Sequence, residues 1–123
     1  MVAELSIRIA GGPDAPSDAR TALRRFHPEL TPELMQVVVL LASELVSNAV
    51  QHARASSIPI RFEVMPSHVR VEVVDGGDGF PIEARRPDPA QTGGWGLHLV
   101  DQLASRWGVT EHAGNRVWFE IDR

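Results

Sequence analysis

The chain has 123 residues, of which 43% are hydrophobic and 23% charged, a balance that suits one globular domain around one core and leaves no room for a second. Cysteine is absent, which excludes disulfides, thiolate metal sites and cysteine nucleophiles. The formal net charge is -4, every basic residue is an arginine, and no basic run exceeds Arg24-Arg25 or Arg85-Arg86, so nucleic acid is not an expected partner.

The elements follow in chain order. Leu5, Ile7 and Ile9 alternate with Ser6 and Arg8, the period of a half-buried strand, until Gly11-Gly12-Pro13 breaks it. Ala15, Ala19, Ala22, Leu23 and Phe26 recur at helical spacing, and Pro28 ends that helix. A long helix is predicted over 31–53, with Thr31 as N-cap and Pro32 at the first helical position. Two clean alternations, 58–64 and 69–73, joined by Pro66-Ser67, read as an antiparallel hairpin. A third helix is predicted from Trp95 or Gly96 to Arg106, and a second hairpin from Gly108 to Ile121, turning at Ala113-Gly114-Asn115. Trp107 and Trp118 are read as core residues. The fold class is therefore α/β: a two-layer sandwich, its mixed, mostly antiparallel sheet covered on one face by three helices. The other face, with Arg61, Glu63, Arg70 and Glu72, is expected to meet water. No signal-like segment opens the chain, and the longest uncharged apolar stretch, 34–43, is about half of the roughly 20 residues of a membrane span. A cytoplasmic protein with no membrane partner is expected.

The long helix carries the first chemical signal. Leu34, Val37, Val38, Leu41, Leu45, Val46, Ala49 and Val50 make it apolar around most of its girth, so it must be buried mid-domain. Its last turns nevertheless carry Ser43/Glu44, Ser47/Asn48 and Gln51/His52, a polar stripe recurring every four residues. Either the helix end emerges into solvent there, or a wet cleft lies beside it. Glu44 favours the cleft, because a carboxylate this close to an apolar run is costly unless it serves a ligand, metal or partner.

Two glycine-rich segments follow. Asp75, Gly77 and Gly79 come directly after a strand; that pattern fits an ordinary turn, and equally a loop whose backbone approaches a flat base while a carboxylate accepts from an exocyclic amine. Gly93, Gly94 and Gly96 open the third helix, where unpaired N–H groups and a partial positive charge suit phosphate. Between them, residues 80–92 hold three prolines and no periodicity, the composition of a functional lid or a disordered loop.

Taken in order and spacing, ELVSNAVQHA, VDGGDGF and TGGWGLHLV resemble the N-box and the two glycine boxes of the GHKL ATPase superfamily, whose ATP-binding domain is known as the Bergerat fold. More narrowly, the chain resembles the small bacterial anti-sigma factor serine/threonine kinases over essentially its whole length. The resemblance implies one ATPase domain over 1–123 with an ATP lid at 80–92, and ATP and Mg²⁺ as cofactors. It implies that Asn48 holds Mg²⁺ on the phosphates and that Glu44 orients or deprotonates the nucleophile. Asp75 would accept from the adenine amino group, with Gly77 and Gly79 shaping the base pocket. Gly93, Gly94 and Gly96, with Leu97 after them, would line the triphosphate, and His52 or a lid arginine would share in neutralising it. The implied partners are a sigma factor and a STAS-type anti-sigma factor antagonist, phosphorylated on serine or threonine, with the chain acting as a homodimer. The sequence departs from the pattern at Gln51 and Thr92, where relatives often carry basic residues, and at Arg116, where threonine is common. These departures keep a second reading open: an ATP-sensing interaction module of the same fold with little or no phosphotransfer.

Overall fold

A computed structural model describes residues 3–26, 29–53, 57–74, 96–110 and 116–123. The elements run β1 (Ala3–Ala10), α1 (Ala15–Phe26), α2 (Pro32–Ala53), β2 (Ser57–Val64), β3 (His68–Val74), α3 (Gly96–Leu103), β4 (Arg106–Thr110) and β5 (Arg116–Asp122). The strands form one sheet in the order β1-β2-β3-β5-β4. Every pairing among the described strands is antiparallel, so the mixed character allowed for by the sequence is not found among them.

Alternation along each strand divides the sheet into two faces. Ile58, Ile60, Phe62, Val64, Val69, Val71, Val73, Val117, Phe119 and Ile121 point to the inner face and are buried with the helices. Each large side chain removed from water in this way contributes about 1.5–3 kcal/mol. The helix α2 lies at the centre of the helical layer, packed against α1, α3 and β3. Val38, Leu41, Ala42, Leu45, Val46 and Ala49 on it are almost wholly buried. By length and composition, 32–51 could cross a membrane; here it is the core helix, covered by the sheet and two neighbours. The predicted cap is present: the Leu34 N–H donates to Thr31 Oγ1 at 3.2 Å. Against its flank α1 buries Ala15, Ala19 and Leu23, one per turn, and Phe26 meets Phe62 edge-on with ring centroids 5.8 Å apart.

Two features differ from expectation. α3 ends at Leu103 rather than at Arg106, because Arg106 is taken into the ladder opposite Glu120. Its guanidinium donates to Glu120 Oε1 at 2.8 Å and to Asp122 Oδ1 at 2.7 Å, contacts that a helical residue could not reach. Trp118 is not core. It lies on the outer face, flat over Gly108 of the neighbouring strand, with the Arg70 guanidinium 4.4 Å from its ring centroid. Trp107 is half-buried against the core, its Nε1–H donating to Asp101 Oδ1 at 2.8 Å. The expected 113–115 turn lies outside the described residues.

The rest of the outer face is an ion-pair lattice. Arg70 donates to Glu120 and Glu72, Arg116 to Glu72 at 2.8 Å, and Arg61 bridges Glu4 and Glu63. For Glu72, burial alone would raise the carboxyl pKa, but hydrogen bonds from Arg116 and Arg70 outweigh it and hold the group below its ordinary 4.5. Glu120 is likewise held low, its burial outweighed by Arg106 and Arg70 with His68 nearby. A carboxyl whose folded pKa is depressed adds stability above its unfolded value and loses it as pH falls.

The melting temperature should hold between pH 7 and about 5 and fall as pH drops below 4.5, the ordinary value of both carboxyls. Glu72→Gln should cost about 1 kcal/mol at pH 7 and make that acid loss shallower in thermal melts. A methyl at Gly108 would sit 2.9 Å from Trp118 Cζ2. Gly108→Ala should therefore destabilise by about 1–3 kcal/mol in chemical denaturation, as the indole is pushed off its stack with Arg70.

Candidate functional site

The polar stripe of α2 survives in three dimensions, with one change. Glu44, Ser47 and Asn48 are half-buried and Gln51 is exposed along one line of the helix. Ser43 leaves that line: it is 6% exposed, and its hydroxyl donates to the Leu40 carbonyl at 2.8 Å within its own helix. Leu40, one turn before Glu44 on the same line, is exposed, so the stripe opens on an apolar step that the four-residue spacing could have indicated.

Glu44 and Asn48 are one helical turn apart, which sets their side chains on one wall about 5–6 Å apart at Cβ. Neither makes a side-chain hydrogen bond or ion pair to another described residue. Each is thus a polar group drawn partly out of water with no partner among the described residues, the condition expected of a ligand-facing position. Oxygen donors of this kind suit Mg²⁺, which commonly takes one or two protein oxygens and fills its remaining positions with water and phosphate. Among the described residues no group of three His, Asp or Glu side chains is placed to cage a metal.

The elements that carry the other two segments are neighbours of this wall. β3 ends at Val74, one residue before Asp75, and packs against α2; α3 begins at Gly96 and packs against α2 as well. Leu97, one residue into α3, is 3% exposed within the core cluster, so only its backbone is available to a ligand. Asp75, Gly77, Gly79, Gly93, Gly94, Thr92, the 80–92 segment with Arg85 and Arg86, and the His52 side chain lie outside the described residues.

Arg116 stands elsewhere. It is on the outer face, held by Glu72, on the opposite side of the sheet from α2. A shallow depression of about 530 Å³ opens on that face beside Arg8, Arg61, Glu72 and Arg116, equally remote from Glu44 and Asn48. Its charges are largely matched within the lattice already described.

An antiparallel sheet backed by three helices, with an acid and an amide one turn apart on the buried central helix, defines the class. The sequence model of the histidine kinase-like ATPase domain matches residues 11–121, and the chain belongs to that family. It is a GHKL ATPase that resembles anti-sigma factor kinases. Among curated relatives, it is 33% identical over 90 residues to the serine-protein kinase RsbW of Bacillus subtilis (strain 168), covering 61% of this chain and 56% of that protein. It is 31% identical over the same length, with the same coverage, to the serine-protein kinase RsbW of Bacillus velezensis. The chain thus spans little more than half the length of these relatives.

The different surroundings of Ser43 and Asn48 give a prediction. Ser43→Ala removes a hydroxyl together with the bond it makes to its own helix. It should change stability by no more than about 1 kcal/mol and leave nucleotide affinity unaltered. Asn48→Ala should leave the melting temperature near wild type yet abolish the Mg²⁺ dependence of nucleotide binding, both read by thermal shift with and without the metal.

Proposed function

We propose that the chain binds Mg-ATP on the α2 wall and acts as a serine/threonine kinase of the anti-sigma type, phosphorylating a small antagonist protein and sequestering a sigma factor as a homodimer. The observation that carries the reading is the pair Glu44 and Asn48, half-buried and unpartnered among the described residues, in a chain of the histidine kinase-like ATPase family. Support for the protein substrate comes from the relatives, which are named serine-protein kinases.

In this reading Asn48 holds the metal through its amide oxygen, and bound Mg²⁺ supplies neutralisation of phosphate charge. Asp75 accepts from the adenine amino group. Gly77 and Gly79 let the backbone approach the base, while Gly93, Gly94 and the N-terminus of α3 at Gly96 offer N–H groups to the phosphates. Glu44 would orient the incoming hydroxyl or take its proton as the hydroxyl oxygen bonds to the γ-phosphorus and the bond to the bridging oxygen of ADP breaks. The residues 80–92 cover the nucleotide, and the domain comprises 1–123.

A second reading is favoured by one feature. The helix α2 carries no arginine, and Gln51, at the exposed end of the stripe, is uncharged. Phosphate charge on that wall then falls to Mg²⁺, His52 and the 80–92 arginines. A chain so built could bind ATP and regulate a partner while transferring little or nothing.

Mass spectrometry of candidate antagonist proteins after incubation with Mg-ATP separates the two. The kinase reading predicts phosphoserine or phosphothreonine that falls by about 10²–10⁴-fold in Glu44→Ala with ATP affinity largely retained. Unmodified antagonists beside a chain that binds ATP would establish the sensor.

A further inference from the structure

The line of α2 that carries Asn48 and Glu44 continues one turn further, to Leu40. This side chain is 40% exposed and, with Leu103, is one of two large apolar side chains left exposed among the described residues. Val37, half-buried, borders it at helical spacing. A lone surface leucine ordinarily calls for no explanation. The place of this one does: it follows in line two polar groups with no partner among the described residues, on a helix whose other leucines and valines are all buried or half-buried.

Positions along this line follow the order of the proposed reaction. Asn48 stands at the metal and phosphate end, Glu44 at the incoming hydroxyl, and Leu40 on the side of Glu44 away from the nucleotide. Attack on the γ-phosphorus is roughly in line with the bond that breaks, so the chain that delivers the hydroxyl approaches from that far side. Residues four apart on a helix rise by about 6 Å. In an extended chain, residues two apart point to one face and advance by about 6.4–6.8 Å. A serine or threonine presented to Glu44 by an extended segment lying along α2 therefore sets the residue two positions away over Leu40. An apolar side chain there takes Leu40 out of water, whereas a charged one would be desolvated against it without a partner.

We infer that Leu40 is a specificity-determining residue: it receives a large apolar side chain two positions from the phosphoacceptor serine or threonine of the protein substrate. The inference rests on the kinase reading above and adds to it the chemistry of the acceptor segment.

Steady-state kinetics of the full chain test it, with the antagonist protein that the mass spectrometry above finds modified as the probe, its acceptor position thereby known. Leu40→Ala should raise the KM for this protein about tenfold, with kcat and the KM for ATP near wild type, the signature of a binding contact away from the reacting atoms. Leu40→Met, which keeps a large apolar side chain, should stay near wild type in all three. In the antagonist, serine in place of the residue two before or two after the acceptor should reproduce the tenfold rise at one of those positions alone. Leu40→Arg should reverse the preference, so that an antagonist with glutamate at that position becomes a better substrate than the unaltered one. An antagonist KM unchanged in both Leu40→Ala and Leu40→Arg, or a KM for ATP that rises in step with it, would overturn the role of Leu40 and leave the kinase standing. If every candidate antagonist stays unmodified while the wild type binds ATP, the kinase reading falls and the role of Leu40 falls with it.

Discussion

Everything in this molecule is arranged around the burial of α2. A helix that is apolar around most of its circumference cannot lie on a surface, so it must be enclosed on several sides. The inner face of the sheet covers one side, with Phe62, Val71, Val73 and Phe119 fully buried, and α1 and α3 cover the flanks. The line left over, between the flanking helices, is where Glu44, Ser47 and Asn48 are found. The candidate site is thus a product of the packing: among the described residues, this half-buried line of the core helix is polar from Glu44 to Gln51.

The sheet pays no comparable attention to its outer face, which holds itself together by charge. Each carboxylate at the centre of that lattice receives more than one guanidinium hydrogen bond, and Arg70 serves Glu72, Glu120 and Trp118 at once. Exposed pairs taken singly contribute little, about 0–1 kcal/mol, but a shared, half-buried network fixes the strand register more firmly than separate pairs would. That fixed register matters on the other face, because a slip of one residue would turn Val71 and Val73 outward and remove the floor under α2.

Much of this was legible in the sequence, and the parts that were not have identifiable causes. The α2 start, with Thr31 and Pro32, and the alternations of β2 and β3 depend on residues close together in the chain, and the structure has them where the pattern puts them. The end of α3 depends on Arg106 being drawn to Glu120 and Asp122, and the outward Trp118 depends on the absence of a side chain at Gly108 on a paired strand. The first is decided by contacts across the ladder, which local periodicity does not report; the second follows the alternation of Val117, Phe119 and Ile121, with Gly108 leaving room for the ring. Ser43 was misplaced for the opposite reason: its hydroxyl found a partner in its own helix, so a polar residue could sit in the core at no cost. For the candidate site, the spacing of Glu44 and Asn48 was readable outright, whereas the engagement of Arg116 with Glu72 on the outer face was not.

The central claim is that the polar wall of α2 is a nucleotide site completed by a metal. Calorimetric titration of the full chain with ATP, in the presence and absence of Mg²⁺, tests it most directly, with Asp75→Asn as the control for the base. The account predicts saturable binding that Mg²⁺ strengthens and that Asp75→Asn abolishes. Absence of binding up to millimolar ATP, or binding indifferent to both the metal and Asp75, would contradict it.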